Sequence, residues 1–177
     1  MKLWVLRHEE RDIENPLFFS ELTKKGKEKS HKLIDSLDEL EIDVIYCSPF
    51  LRIIQTIYPY CIKNNKLVNI DNSLYESMDN TLFNETNSNY TWKDIPKEYH
   101  NIINKEYKSI CDNVKLYEVF KDVCDRINPF VKNLIKTDKN ILIVSHLTVC
   151  NAILNFFDKT IDNNFKIEMG KYKEINI

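Results

Sequence analysis

Four apolar residues in succession, Leu3-Trp4-Val5-Leu6, break off at Arg7-His8, and four charges (Glu9, Glu10, Arg11, Asp12) follow. A run this short and continuous predicts a buried strand over residues 2 to 6. Helical spacing comes next: Leu33, Ile34, Leu37 and Leu40 share one face, and Thr23 is placed to cap that helix. "DVIYCSP" (43 to 49) predicts a second buried strand, with Ser48 as N-cap and Pro49 as first residue of a helix. That helix carries Leu51, Ile54, Gln55 and Ile57 and is expected to bend or end at Pro59.

"LVNI" (67 to 70) predicts a third strand, with "SLYES" just beyond it. From Met78 to roughly Pro96 the chain is Asn-rich and without period, which predicts a surface insertion. Helical spacing returns between about Lys97 and Thr137, with an expected interruption at Asn128-Pro129. "NILIVSH" (140 to 146) is the strongest strand, "LTVCNAILNFF" after it predicts a buried helix, and "KYKEINI" a last strand at a sheet edge.

Strands alternating with helices imply an α/β fold, a mostly parallel central sheet covered on both faces. With no internal repeat and no linker, residues 1–177 are read as a single domain with an insertion around 78–96.

Composition narrows the function. A net charge of -2 and a pI near 6.1 give no general attraction to nucleic acid or anionic membranes, so any anion site must be local. No signal peptide and no span of membrane-crossing length is visible, which points to the cytoplasm. Five scattered cysteines (Cys47, Cys61, Cys111, Cys124, Cys150) without a C-x-x-C pair fit reduced thiols better than disulfides or a zinc site.

In a sheet of this kind ligands bind outside the C-terminal ends of the strands. Three such tips carry polar residues: Arg7-His8, Ser48-Pro49 with Arg52 behind them, and His146. Arg52 falls about one turn into its helix, and helical side chains lean back toward the N-terminus, so it can reach the rim of Arg7. Two arginines, two histidines and a helix N-terminus at one rim describe a site for a doubly charged anion, most naturally phosphate. Alone, each piece is weak. An Arg-His pair is common by chance, and a histidine that ends a strand is more often a hydrogen-bonded structural residue.

"LRHEER", "LTKKGKEKS", "IYCSPFLRIIQT", "SLYES" and "ILIVSH" together resemble the histidine phosphatase superfamily, also called phosphoglycerate mutase-like. Its pattern runs R-H-G, L-T-x-x-G, S-P-x-x-R-x-x-Q-T, L-x-E and a late V-x-H. The R-H-x-E-R made by Arg11 is most similar to the phosphatase domain of the suppressor-of-T-cell-receptor-signalling proteins. The resemblance implies a three-layer α/β/α sandwich of phosphoglycerate mutase-like type.

It also implies a phosphatase that passes the phosphoryl group through a phosphohistidine on His8. A neutral ring nitrogen is available near pH 7, and two transfers replace one harder step. Arg7, Arg52 and a protonated His146 would clamp the phosphoryl oxygens, with Arg11 as an additional phosphate contact. Losing one such donor would cost on the order of 3 kcal/mol in the barrier. Glu76 falls at the L-x-E position of a general acid, although spacing alone reads it as a loop glutamate.

No cofactor and no metal is implied, because arginines do the work of a divalent cation. The substrate would be a phosphorylated small molecule or a phosphopeptide, with no nucleic acid or membrane partner, and the oligomeric state stays open. A mutase using the same phosphohistidine, and a weak phospho-ligand or protein-binding module, remain alternatives.

Glu9 stands where the resembled pattern has glycine. A left-handed backbone there would cost about 1–2 kcal/mol, and an inward carboxylate would repel phosphate, so Glu9 is expected to point away. Leu147 and Thr148 replace a usual small residue and would narrow the pocket. His31 and His100 read as surface residues. Tyr75, Phe83, Tyr90 and Trp92 either line an aromatic-friendly mouth or simply pack.

Overall fold

The computed structural model describes residues 1–12, 17–77 and 90–177. Its strands are β1 (Lys2–Arg7), β2 (Val44–Cys47), β3 (Val68–Ile70), β4 (Ile141–Ser145) and β5 (Tyr172–Asn176). They form one sheet in the order β3-β2-β4-β1-β5. β1, β2, β3 and β4 run parallel, and β5 pairs antiparallel to β1 at the edge. The helices are α1 (Lys24–Asp38), α2 (Leu51–Asn64), α3 (Phe120–Leu134) and α4 (Leu147–Phe157).

Strand side chains alternate between faces, and here both faces are buried. Trp4, Leu6, Leu142 and Val144 pack with Leu33 and Leu37 of α1 and Ile53, Ile54 and Ile57 of α2. Leu3, Val5, Ile141 and Ile143 point the other way, onto Val123, Ile127 and Phe130 of α3 and Val149 and Ile153 of α4. The result is a mixed α/β fold of three layers with the sheet between two helix pairs. Each such side chain contributes roughly 1.5–3 kcal/mol by leaving water. Among the described residues no helix is long and apolar enough to cross a membrane.

Thr23 caps α1 as its position predicts, with its hydroxyl accepting from Gly26 N–H at 3.0 Å. Several boundaries differ from expectation. α2 starts at Leu51 with Phe50 at the cap and no side-chain cap bond, so Ser48 is not its N-cap. It runs through Pro59 to Asn64 instead of ending there. Burial of Ile57, Tyr60 and Cys61 outweighs the roughly 3 kcal/mol that an internal proline costs. α3 likewise runs through Pro129. Pro129 and Asp125, whose carbonyl loses its donor, are both exposed, so water can take the donor's place.

The long helical stretch expected from Lys97 to Thr137 is mostly not helix before Phe120. A 3-10 segment covers Lys97–Ile102, and irregular chain follows. Ile102, Ile103 and Val114 still bury their side chains, which is why the apolar spacing misleads. Asp71 holds this segment: its carboxylate accepts from Tyr107 Oη at 2.5 Å, Ile110 N–H at 3.0 Å and Ser109 Oγ at 3.3 Å. Of the expected insertion, residues 78–89, with Phe83, lie outside the described residues. Residues 90–96 include a 3-10 turn, Trp92–Asp94, and the buried Ile95.

Register places the site. Arg7 is level with Ser145 and Cys47 with Val144, so His8, Ser48 and His146 all leave the sheet at one rim. β4 lies between β1 and β2 although it comes late in sequence. α1 and α2, which follow β1 and β2, pack on one face, whereas α4, which follows β4, packs on the other, so the chain leaves neighbouring strand ends toward opposite faces and opens a crevice there.

Candidate active site

His8 is 3% exposed. Its Nδ1 lies 2.7 Å from the carbonyl oxygen of Glu9, and its backbone N–H donates to Ser145 O at 3.0 Å. A carbonyl only accepts, so Nδ1 carries the proton and Nε2 keeps a lone pair. Burial, then the charge of Arg52, then His146, holds the His8 pKa well below its ordinary value. The ring is neutral and its free nitrogen is basic only in the sense a nucleophile needs.

Across from it stands His146, with ring centroids 5.6 Å apart and rings at 65°. His146 is fully buried at the N-terminus of α4. Its Nε2 is 2.9 Å from Ser48 Oγ, and its Nδ1 is 3.0 Å from Glu76 Oε2 and 3.2 Å from Arg52 Nη2. Burial lowers its pKa to about 4, with Glu76 opposing and Arg52 reinforcing the shift. Without a bound anion His146 is therefore held toward its neutral form, because desolvation outweighs the neighbouring carboxylate. In the neutral ring, Nδ1–H faces the Glu76 oxygen, since a lone pair there would be repelled. Nε2 then accepts from the Ser48 hydroxyl. That bond explains why Ser48 does not cap α2.

Arg52 is also fully buried. Its Nη1 donates to Leu17 O at 3.0 Å, its Nη2 to Glu76 Oε2 at 3.2 Å, and its guanidinium carbon lies 4.6 Å from the Phe50 ring centre. One carboxylate oxygen of Glu76 thus meets both Arg52 and His146, while Oε1 accepts from Ser77 N–H at 3.0 Å. Burial alone would raise the Glu76 pKa, but His146, Arg52 and His8 together hold it below the ordinary carboxylate range. An anion already sits between the two groups expected to clamp phosphate.

Arg7 Nη1 donates to Ile167 O at 2.7 Å, and its buried Nε has no hydrogen-bond partner among the described residues. Arg11 is further out. Its Nη1 donates to Asp12 O at 2.6 Å, yet its charge reaches Arg7 and His146.

The crowded charges after His8 disperse. Glu9 is 4% exposed, and its carboxylate packs against Gly170, away from the His146 side. Its backbone is not left-handed, so the feared strain is absent. Glu10 accepts from Thr23 Oγ1 at 3.1 Å and pairs with Lys25 and Lys29 at 3.4 and 3.6 Å. Leu147 packs at the edge of the core between α3 and α4 and, like Thr148, is half-buried.

His31 is exposed as expected. His100 is not a simple surface residue: it is half-buried, with Nε2 2.8 Å from Ile95 O and its ring against Trp92. Tyr75 is fully buried against Phe50, and Tyr90 stacks on Phe18 with ring centres 4.4 Å apart.

Residues that pattern reasoning missed hold the loop of Glu76. Ser145 Oγ donates to Leu74 O at 2.8 Å, and Arg126 Nη1 to Ser73 O at 2.5 Å. Arg126 is itself gripped by Glu118 through two bonds of 2.6 Å. Their spacing matches neither a helix face nor a strand, so only the folded chain brings them together.

The sequence profile of the histidine phosphatase superfamily (branch 1) matches residues 18–177. No curated protein matches the chain. Several solved structures are similar in fold. The ecdysone phosphate phosphatase of Bombix mori superposes with a TM-score of 0.73 at 14% identity, over 99% of this chain and 88% of that one. YhfR of Bacillus stearothermophilus gives 0.73 at 20% identity, over 99% and 91%. A mycobacterial glucosyl-3-phosphoglycerate phosphatase gives 0.71 at 15% identity, over 99% and 89%.

Proposed function

The chain belongs to the histidine phosphatase superfamily, and on that premise we propose that it hydrolyses phosphomonoesters, with His8 carrying the phosphoryl group between two in-line transfers. The observation that carries this reading is the Nδ1–H bond of His8 to Glu9 O at 2.7 Å. It fixes the tautomer with an Nε2 lone pair beside Arg52 and His146.

In the first step Nε2 attacks phosphorus, the N–P bond forms, and the bond to the leaving oxygen breaks. Arg7, Arg52 and His146 donate to the phosphoryl oxygens, where charge gathers. Arg11 would make the outermost contact, in keeping with its R-H-x-E-R pattern. Glu76 supplies the proton to the leaving alkoxide. An incoming phosphoryl dianion takes the Arg52 and His146 donors away from Glu76 and stands beside it as a like charge. Both changes raise the Glu76 pKa and load it with a proton. In the second step water attacks phosphorus, Glu76 takes the water proton, and the N–P bond breaks to give phosphate and neutral His8.

The packing of the Glu9 carboxylate against Gly170 supports turnover over a binding module that lost activity. A phosphorylated small molecule is the substrate class we favour. Ecdysone phosphate phosphatase and glucosyl-3-phosphoglycerate phosphatase are named for such compounds, and their folds are shared. The charge neutralisation rests on arginines, so we also propose that no divalent metal takes part. Hydrolysis of an aryl phosphate with excess chelator tests both points. Sustained hydrolysis that His8→Ala removes is expected. An inert wild type, or activity lost to the chelator, would overturn the reading.

A further inference from the structure

The chain has only two glycines in 177 residues. Both abut the segment directly behind His8. Gly170 has φ +70°, and its N–H is shared between Arg7 O at 3.0 Å and His8 O at 3.1 Å. A Cβ at this position would overlap Glu9 Oε1. Gly26 lies in the first turn of α1, where a Cβ would overlap the carbonyl oxygen of Glu10. That same carbonyl accepts from Thr23 N–H at 2.9 Å. Glu9 is fastened between these two anchors by its own N–H, which donates to Thr56 Oγ1 at 3.0 Å. Thr56 Oγ1 donates in turn to Arg52 O at 2.7 Å.

The Glu9 carbonyl is what holds the His8 ring. Any shift of residues 9 and 10 moves that acceptor and with it the aim of Nε2. We propose that Gly26 and Gly170 are positioning residues for His8, making room on two sides for the segment whose carbonyl sets the ring's tautomer and direction. The proposal rests on the phosphohistidine reading of His8. Glycine at 170 answers two demands, a left-handed backbone and the space that Glu9 fills. Glycine at 26 answers one, because helical φ suits any residue and only the close approach of a backbone oxygen excludes a side chain.

The test compares Gly170→Ala and Gly26→Ala, each alone and with Glu9→Ala, in the full chain. A misplacement near 1 Å costs turnover roughly a hundredfold, so each glycine variant alone is expected to lose about that in kcat on an aryl phosphate. The dissociation constant for inorganic phosphate is expected to stay within about twofold, because the arginine side chains that hold it are untouched. Nitrogen-15 spectra of His8 are expected to show a protonated Nδ1 in wild type and a mixture of tautomers in the variants. Glu9→Ala should restore about tenfold of kcat to Gly170→Ala, whose overlap is with the Glu9 side chain. It should restore nothing to Gly26→Ala, whose overlap is with backbone.

Should Gly170→Ala not fold, Gly170→Asn decides, since asparagine tolerates positive φ while retaining the overlap. It is expected to be slow alone and faster with Glu9→Ala. Wild-type kcat and tautomer in the glycine variants, phosphate affinity falling in step with kcat, or equal rescue of both sites would overturn the proposal. An inactive wild type would instead sink the phosphatase reading, and the nitrogen-15 comparison would still decide the positioning role.

Discussion

Ser48 Oγ lies 2.9 Å from Nε2 of His146, although 98 residues separate the two in sequence. The bond fixes the second histidine's ring so that Nδ1 faces Glu76 and Arg52. Ser48→Ala removes the donor and leaves a buried ring nitrogen unpaired. We expect about a tenfold loss of kcat, together with 1–3 kcal/mol of stability. Ser48→Thr, which keeps the hydroxyl, should recover most of the rate. Steady-state kinetics and urea denaturation of both variants check this, and full activity in Ser48→Ala would contradict it.

Glu76 is expected to matter in proportion to the leaving group's need for a proton. Glu76→Gln should slow alkyl phosphates by 10²–10⁴-fold and activated aryl phosphates far less. Similar slowing of both classes would remove Glu76 from the proton-donor role. The same substitution removes the anion between Arg52 and His146, so inorganic phosphate should bind it more tightly than it binds wild type.

Acid should weaken the ligand-free fold in a defined window. His146 has a folded pKa of about 4 against an ordinary 6.5. The unfolded chain therefore takes up the proton first as pH falls. The contribution of a neutral His146 is complete above about pH 6.5 and is lost progressively toward pH 4. One such histidine gives a slope approaching 1.4 kcal/mol per pH unit. His8, also lowered by burial, adds in the same direction. The lowered Glu76 adds a further loss once pH drops below its ordinary 4.5. Urea midpoints at pH 7.5 and 5 should differ clearly in wild type and less in His146→Asn. A flat profile in wild type would contradict the buried neutral pair.

Strand ends were the most legible part of the molecule. Leu3 to Leu6 and Ile141 to Val144 are continuous apolar runs because both of their faces are covered, and a run of that kind survives any packing detail. Polar residues that interrupt such a run at its C-terminal end stand out, which is how His8 and His146 could be found. Between Lys97 and Phe120 the same reasoning fails. Burial there depends on what Asp71 grips, and a carboxylate reaching across more than 35 residues leaves no periodic trace. Protonation was illegible for a similar reason. Whether His146 is charged depends on its complete burial, which no local pattern carries.

If His8 is the nucleophile, a covalent phosphoryl group resides on it during turnover. Rapid acid-free quenching of the enzyme with a phosphorus-32 aryl phosphate, followed by base treatment, measures it directly. Label that survives base and is released by acid is expected on the wild-type protein, and none on His8→Ala. Label of that kind persisting in His8→Ala, or hydrolysis by the wild type with no label at any time, would contradict it.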